Sequence, residues 1–313
     1  MPDKPATPDK PPRSSRPAGT PDWSVLAPVL VACAGACWGC ISLFSVPLAS
    51  LGLAPLQIAT VRSGLAAICL GLILAVSNRG ALRIRLRDVW MFVGSGVASI
   101  ALFNVCYFAC IEACGVGLAA ILLYTAPFFV VVLSAVLFSE RLGAVKAVAL
   151  LVAFGGCLLV CGIGPLGGAL PAWGIAVGLG SGIGYALYSI FGRFALRAGY
   201  GQWTLVFWTF VFSALATAPF AHVGEIAEIA VSSLRAMALM VGLAAVSTLA
   251  PFALYTTGLA HMETGRASIM AFVEPAVALV VGVVVFGETL SATNVVGIAL
   301  IAAAVVMLGV RRE

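Results

Sequence analysis

The chain has 313 residues, of which 62% are hydrophobic and only 9% charged, with a formal net charge of +5. A water-soluble domain of this length carries far more charge, so the composition excludes one and points to a polytopic membrane protein. The basic residues lie between apolar runs, where they serve as orientation signals, and no nucleic-acid partner is expected.

In chain order, residues 1–22 (MPDKPATPDKPPRSSRPAGTPD) are rich in proline and charge and cannot bury a core. They predict a disordered cytoplasmic tail, which ends at residue 23. A cleaved signal peptide is not expected, because further spans follow the first apolar run. Length and hydropathy then predict ten helices, over 24–47, 54–76, 89–111, 116–138, 143–163, 172–194, 202–221, 234–260, 265–286 and 291–310. The fold expected is therefore all-α, with short loops, the longest near 77–88 and 222–233. With the amino terminus inside, fifteen of the seventeen lysines and arginines fall on the cytoplasmic side. Arg235 alone falls outside, and Arg62 lies within a span. The expectation is a multi-pass protein of the bacterial inner membrane with both termini cytoplasmic.

Shifting the chain by 148 residues lays YTAPFFVVVLSAVLFSERL over FVEPAVALVVGVVVFGETL. Pro127 then falls on Pro275, Phe138 on Phe286, Glu140 on Glu288 and Tyr107 on Tyr255. Near the start of each half a shift of 147 pairs Gly35 with Gly182, Ser42 with Ser189 and Phe44 with Phe191. Two five-helix repeats follow, over 24–163 and 172–310. Five is odd, so the repeats enter the membrane in opposite orientations, a plan used by secondary transporters with a site near the midplane.

Trp38-Gly39 in the first helix, Arg62 in the second, and the P…E segments closing the fourth and ninth resemble the EamA-type exporters of the drug/metabolite transporter superfamily. The resemblance covers roughly residues 24–310, and FVEPAVALVVGVVVFGETL is its most specific segment, similar to members that export amino acids. It implies a ten-helix bundle that exports amino acids or related metabolites, with no ATP-binding subunit and no cofactor. A small-molecule substrate is the expected partner, with a proton as a candidate second one.

Glu274 lies about nine residues into its span, near the bilayer centre at ~1.5 Å per residue. An ionised carboxylate there costs on the order of 3 kcal/mol, so it is expected to face a cavity or a partner. Its repeat-mate is Ala126, so the architecture does not itself require a carboxylate. Arg62 lies at similar depth, and three arrangements satisfy it: a pair with Glu274, a shared zwitterion with its carboxylate at Arg62 and its amine at Glu274, or snorkelling to the interface. Pro127 and Pro275 are expected to bend the fourth and ninth helices and act as hinges. Trp38, Tyr107, Tyr124, Tyr185, Tyr188 and Tyr255 lie inside spans, where their polar tips need partners. With Asn104, one turn before Tyr107, they are the candidate walls of a substrate path. The expected substrate-binding set is Glu274, Arg62, Tyr107, Tyr255, Asn104, Trp38, Tyr124 and Tyr185.

Gly35 and Gly39, and Gly174, Gly178 and Gly182, form small-residue stripes expected to serve close helix packing. The nine cysteines fall between Cys33 and Cys161 and read as small apolar packing residues, with no metal site expected. Glu140 and Glu288 are expected to complement the starts of the helices that follow them. No HExxH, GxSxG or GxxxxGK[ST] occurs, so an enzyme is not expected. A channel, and an exporter of cationic drugs, stay as alternatives.

Overall fold

The computed structural model describes residues 21–162 and 171–310. The expected tail lies outside these residues except for Pro21, Asp22 and Trp23, and Trp23 already opens the first helix. Asp22 caps that helix, its Oδ1 accepting from the Ser24 backbone N–H at 3.2 Å and from the Ser24 hydroxyl at 2.7 Å. Among the described residues ten helices are long and apolar enough to cross a membrane. They are α1 Trp23–Ser50, α2 Pro55–Ser77, α3 Leu86–Cys114, α4 Val116–Phe138 and α5 Ala144–Cys161, then α6 Ala172–Arg197, α7 Gln202–Phe220, α8 Leu234–His261, α9 Thr264–Phe286 and α10 Ala292–Gly309. No strand occurs among them. A short helix, Val223–Ser232, links α7 to α8.

The repeat is visible in local geometry as well as in sequence. α4 ends on Ser139 and α9 on Gly287, both left-handed, with φ of 57° and 70°. After each, a glutamate N–H returns to a carbonyl six residues back, Glu140 to Ser134 at 3.3 Å and Glu288 to Gly282 at 3.1 Å. These are matching helix ends, each turned out through a left-handed residue. Val136 and Val284, repeat-mates, are 75% and 76% exposed, as lipid-facing positions on an apolar bundle would be. α3 and α8 likewise carry wide π-type turns at overlapping repeat positions, Gly94–Ala101 and Ala245–Leu249.

The prolines do more than bend their helices. α4 is interrupted at Tyr124–Thr125 and α9 at Ala271–Phe272, just before Pro127 and Pro275. Proline has no N–H for the carbonyl four residues back. At Pro275 that carbonyl belongs to Ala271, and it accepts instead from the Glu274 N–H at 2.9 Å. α1, expected to be continuous, is also interrupted, at Cys40–Ile41.

The breaks in α9 and α4 are each covered by a glycine stripe from the other repeat. A Cβ on Gly35 would lie 3.0 Å from the Ala271 carbonyl oxygen, and one on Gly39 2.7 Å from that of Glu274. In the opposite pairing, a Cβ on Gly182 would meet the Leu122 carbonyl at 2.8 Å. So α1 seats on the break in α9 and α6 on the break in α4, at distances only glycine permits. Opposite the α6 stripe, Cys110 and Cys114 fill the space beside Gly178 and Gly174, as packing residues do.

Candidate functional site

Glu274 stands in the first turn of the second segment of α9, at a helix N-terminus, the end that favours negative charge. Its Oε2 accepts a hydrogen bond from the Tyr185 hydroxyl of α6 at 2.9 Å. The Tyr124 hydroxyl, at the break in α4, lies beside the same carboxylate. Tyr107 of α3 lies within reach of its charge. Glu274, Tyr185, Tyr124 and Tyr107 all keep partial accessibility although they are enclosed deep in the bundle. They are half-buried, whereas Tyr188 and Tyr255 are buried in the packed core.

Arg62 of α2 is buried, 7% exposed, so it does not snorkel to the surface. It feels the charge of Glu274, yet no ion pair within 4.0 Å joins the two among the described residues. Its Nε has no hydrogen-bond partner. A buried guanidinium left in this state is costly unless something else meets it.

The aromatic residues divide between the Glu274 cluster and the core. Trp38 packs edge-on to Tyr185, with ring centroids 6.3 Å apart, and to Phe252 at 5.1 Å, behind that cluster. Phe103 meets Tyr185 edge-on at 5.6 Å, a contact the sequence did not suggest. Tyr255 is turned into the core, where its hydroxyl pairs with Ser189 at 2.7 Å, and Tyr188 pairs with Thr256 at 2.7 Å. Asn104 donates to the Ile100 carbonyl of its own helix at 2.6 Å, within the π-type turn. Thus Glu274, Tyr185, Tyr124, Arg62 and Tyr107 come together with Trp38 behind them, while Tyr255 and Asn104 spend their polar groups on the protein itself.

A second polar cluster lies at the arginine-rich end, and its partners were not legible as a pattern. Glu140 does not complement the start of α5. It accepts from the Thr264 and Gly265 N–H groups at 2.7 and 3.0 Å, capping α9 of the other repeat. Arg193 of α6 stands 3.8 Å from Glu140 and donates through Nε to the Thr264 hydroxyl at 2.8 Å and through Nη2 to the Met262 carbonyl. Lys146 pairs with Glu263 at 2.5 Å. Burial alone would raise the Glu140 carboxyl, but the two backbone donors, the Thr264 hydroxyl and Arg193 outweigh it and hold it below the ordinary glutamate value.

The fold, with its enclosed polar cluster, defines a ten-span membrane protein built from two inverted repeats. The family model for the EamA-like transporter family matches twice, over residues 25–162 and 172–310. The chain belongs to that family and is a membrane-spanning transporter. A protein of Archaeoglobus fulgidus described as an uncharacterized transporter is 34% identical over 213 residues, 66% of this chain and 74% of its own length. A second from the same organism, described in the same words, is 25% identical over 253 residues, 80% of this chain and 86% of its own length. One protein of known crystal structure superposes with a TM-score of 0.70 at 18% identity, over 90% of this chain and 96% of that one, a likeness of fold alone.

Proposed function

We propose that this transporter exports small amphipathic metabolites, amino acids foremost, by alternating access. The membrane would be the bacterial inner membrane, with both termini cytoplasmic, because the basic residues gather at that end. A single observation carries the substrate reading. Arg62 and Glu274 share one enclosed site without pairing, and the Arg62 Nε has no partner. A zwitterion satisfies both at once, its carboxylate at the guanidinium fork and its ammonium at Glu274. Tyr185, Tyr124 and Tyr107 would then border the ligand, with Trp38 behind them. A cationic drug is the second reading, favoured by the aromatic rings around Tyr185 next to an acid. A proton is the candidate coupling ion, with Glu274 its carrier. Transport rather than catalysis is the role, and no cofactor is invoked.

The test is made in proteoliposomes loaded with an amino-acid mixture, under an imposed pH gradient, with the species that cross identified by mass spectrometry. Selective, saturable movement that Glu274→Gln abolishes supports the reading. Unsaturable flux would indicate a channel. Normal transport by Glu274→Gln at every pH removes Glu274 from the site.

A further inference from the structure

The two repeats share the same helix-end design at opposite ends of the bundle, but the two ends are not in the same state. Phe138 is 7% exposed and meets Phe194 edge-on at 4.9 Å, with the Arg197 guanidinium 4.6 Å from its ring centre. Its repeat-mate Phe286 is 39% exposed. The Glu140 side chain is 9% exposed and bound by three groups of the other repeat, whereas Glu288 is exposed. Among the described residues the ion pairs that join the repeats are Glu140–Arg193 and Lys146–Glu263, and both lie at the arginine-rich end. The repeat-equivalents of Lys146, Arg193 and Glu263 are Asn294, Val46 and Gly115, which form no ion pair at the other end; there the repeats meet through uncharged donors, Asn294 Nδ2 to the Leu159 and Val160 carbonyls at 3.1 Å and Gln57 Nε2 to Glu225 Oε2 at 2.7 Å.

We infer that Glu140 is a positioning residue for transport. From the end of α4 it grips the N-terminus of α9, the helix that carries Glu274, and so holds the arginine-rich end shut while the opposite end is open. Two N–H groups, a guanidinium and a carboxylate in one half-buried cluster make a strong, charge-assisted contact. Release of that contact frees α9 to swing about its break at Ala271–Phe272. Repeat symmetry then sets the complementary state, with Phe286 covered and Phe138 bared. The inference deepens the alternating-access reading but needs no substrate for its test.

Hydrogen–deuterium exchange on the full chain in lipid nanodiscs tests it. In Glu140→Gln, exchange over Thr264–Met270 is expected to rise ~10-fold, the scale of losing a charged hydrogen bond. Exchange over Phe286–Asn294 is expected to fall at the same time, a reciprocal change that local loosening would not produce. Arg193→Gln should give the same pair of changes and serves if the first variant does not fold. Glu288→Gln should leave Thr264–Met270 as in wild type. An unchanged or increased rate over Phe286–Asn294 in both cluster variants would overturn the inference. Because no transport is measured, that result leaves the Glu274 site standing, and a dead site in proteoliposomes leaves this result standing.

Discussion

The Tyr185 hydroxyl donates to Glu274 Oε2 at 2.9 Å, joining the middle of α6 to the first turn after the break in α9. The bond fixes the acid's orientation without cancelling its charge. Tyr185→Phe removes only the donor, at a cost on the order of 1.5–3 kcal/mol for a bond to a charged group. Transport is therefore expected to lose at least about tenfold in kcat/KM while the protein stays folded. Counterflow in proteoliposomes, with Tyr188→Phe as a core control, checks it.

Arg62→Lys keeps the charge at the site but replaces a planar fork with a single ammonium. If the fork receives a carboxylate, the KM for amino acids is expected to rise by about tenfold or more. The KM for a decarboxylated amine of the same side chain should change little. Equal losses on both would show that Arg62 does not meet the carboxylate.

Gly39→Ala places a Cβ 2.7 Å from the Glu274 carbonyl oxygen and 2.9 Å from the Ala278 nitrogen, both backbone atoms that cannot turn aside. It is expected to destabilise the bundle by about 1–3 kcal/mol, as overpacking does. Gly64, on α2, has nothing within 4 Å of its Cβ position. Gly64→Ala is expected to be neutral or to stabilise by up to roughly 1 kcal/mol through helix propensity. Thermal unfolding of both variants in detergent measures the contrast.

Pro275→Ala restores an N–H to the ninth helix and allows the interruption at Ala271–Phe272 to close. Equilibrium binding of substrate is expected to hold within a few-fold while turnover falls. Loss of binding with turnover per bound substrate intact would show that the break shapes the site rather than moves it. Pro127→Ala should act in the same direction at the other repeat.

The lowered carboxyl of Glu140 makes a pH prediction. Its folded-state value lies below the unfolded one, so its stabilisation is fully present above the ordinary glutamate value of about 4.3. That stabilisation is lost as the pH falls through the lower, folded-state value. The Tm of wild type should exceed that of Glu140→Gln by a constant margin at neutral pH, and the margin should close in acid. A margin that does not change with pH would show that the loss in Glu140→Gln is one of packing.

Much of the fold was legible because a bilayer reduces the problem to length and hydropathy. The expected span over 116–138 is Val116–Phe138 in the structure, and that over 265–286 is Thr264–Phe286. The site was partly legible for the same reason: an acid such as Glu274 in a run of valines is conspicuous. Phe103 was not, since a phenylalanine in a span carries no signal until Tyr185 is beside it. Nor was the fate of Asn104 and Tyr255, whose polar groups could have faced a ligand as readily as Ile100 or Ser189.

The sequence by itself determined the ten spans, the two inverted repeats, and the isolated charges Arg62 and Glu274, because each follows from composition, period and the cost of charge in lipid. Only the tertiary structure decided that those two charges do not pair, that the α1 glycines seat on the break in α9, and that Glu140 serves α9 rather than α5. Each of these depends on which helices of opposite repeats lie side by side. The apolar pattern of a span places its residues at a depth in the membrane, but it does not say which neighbour they face.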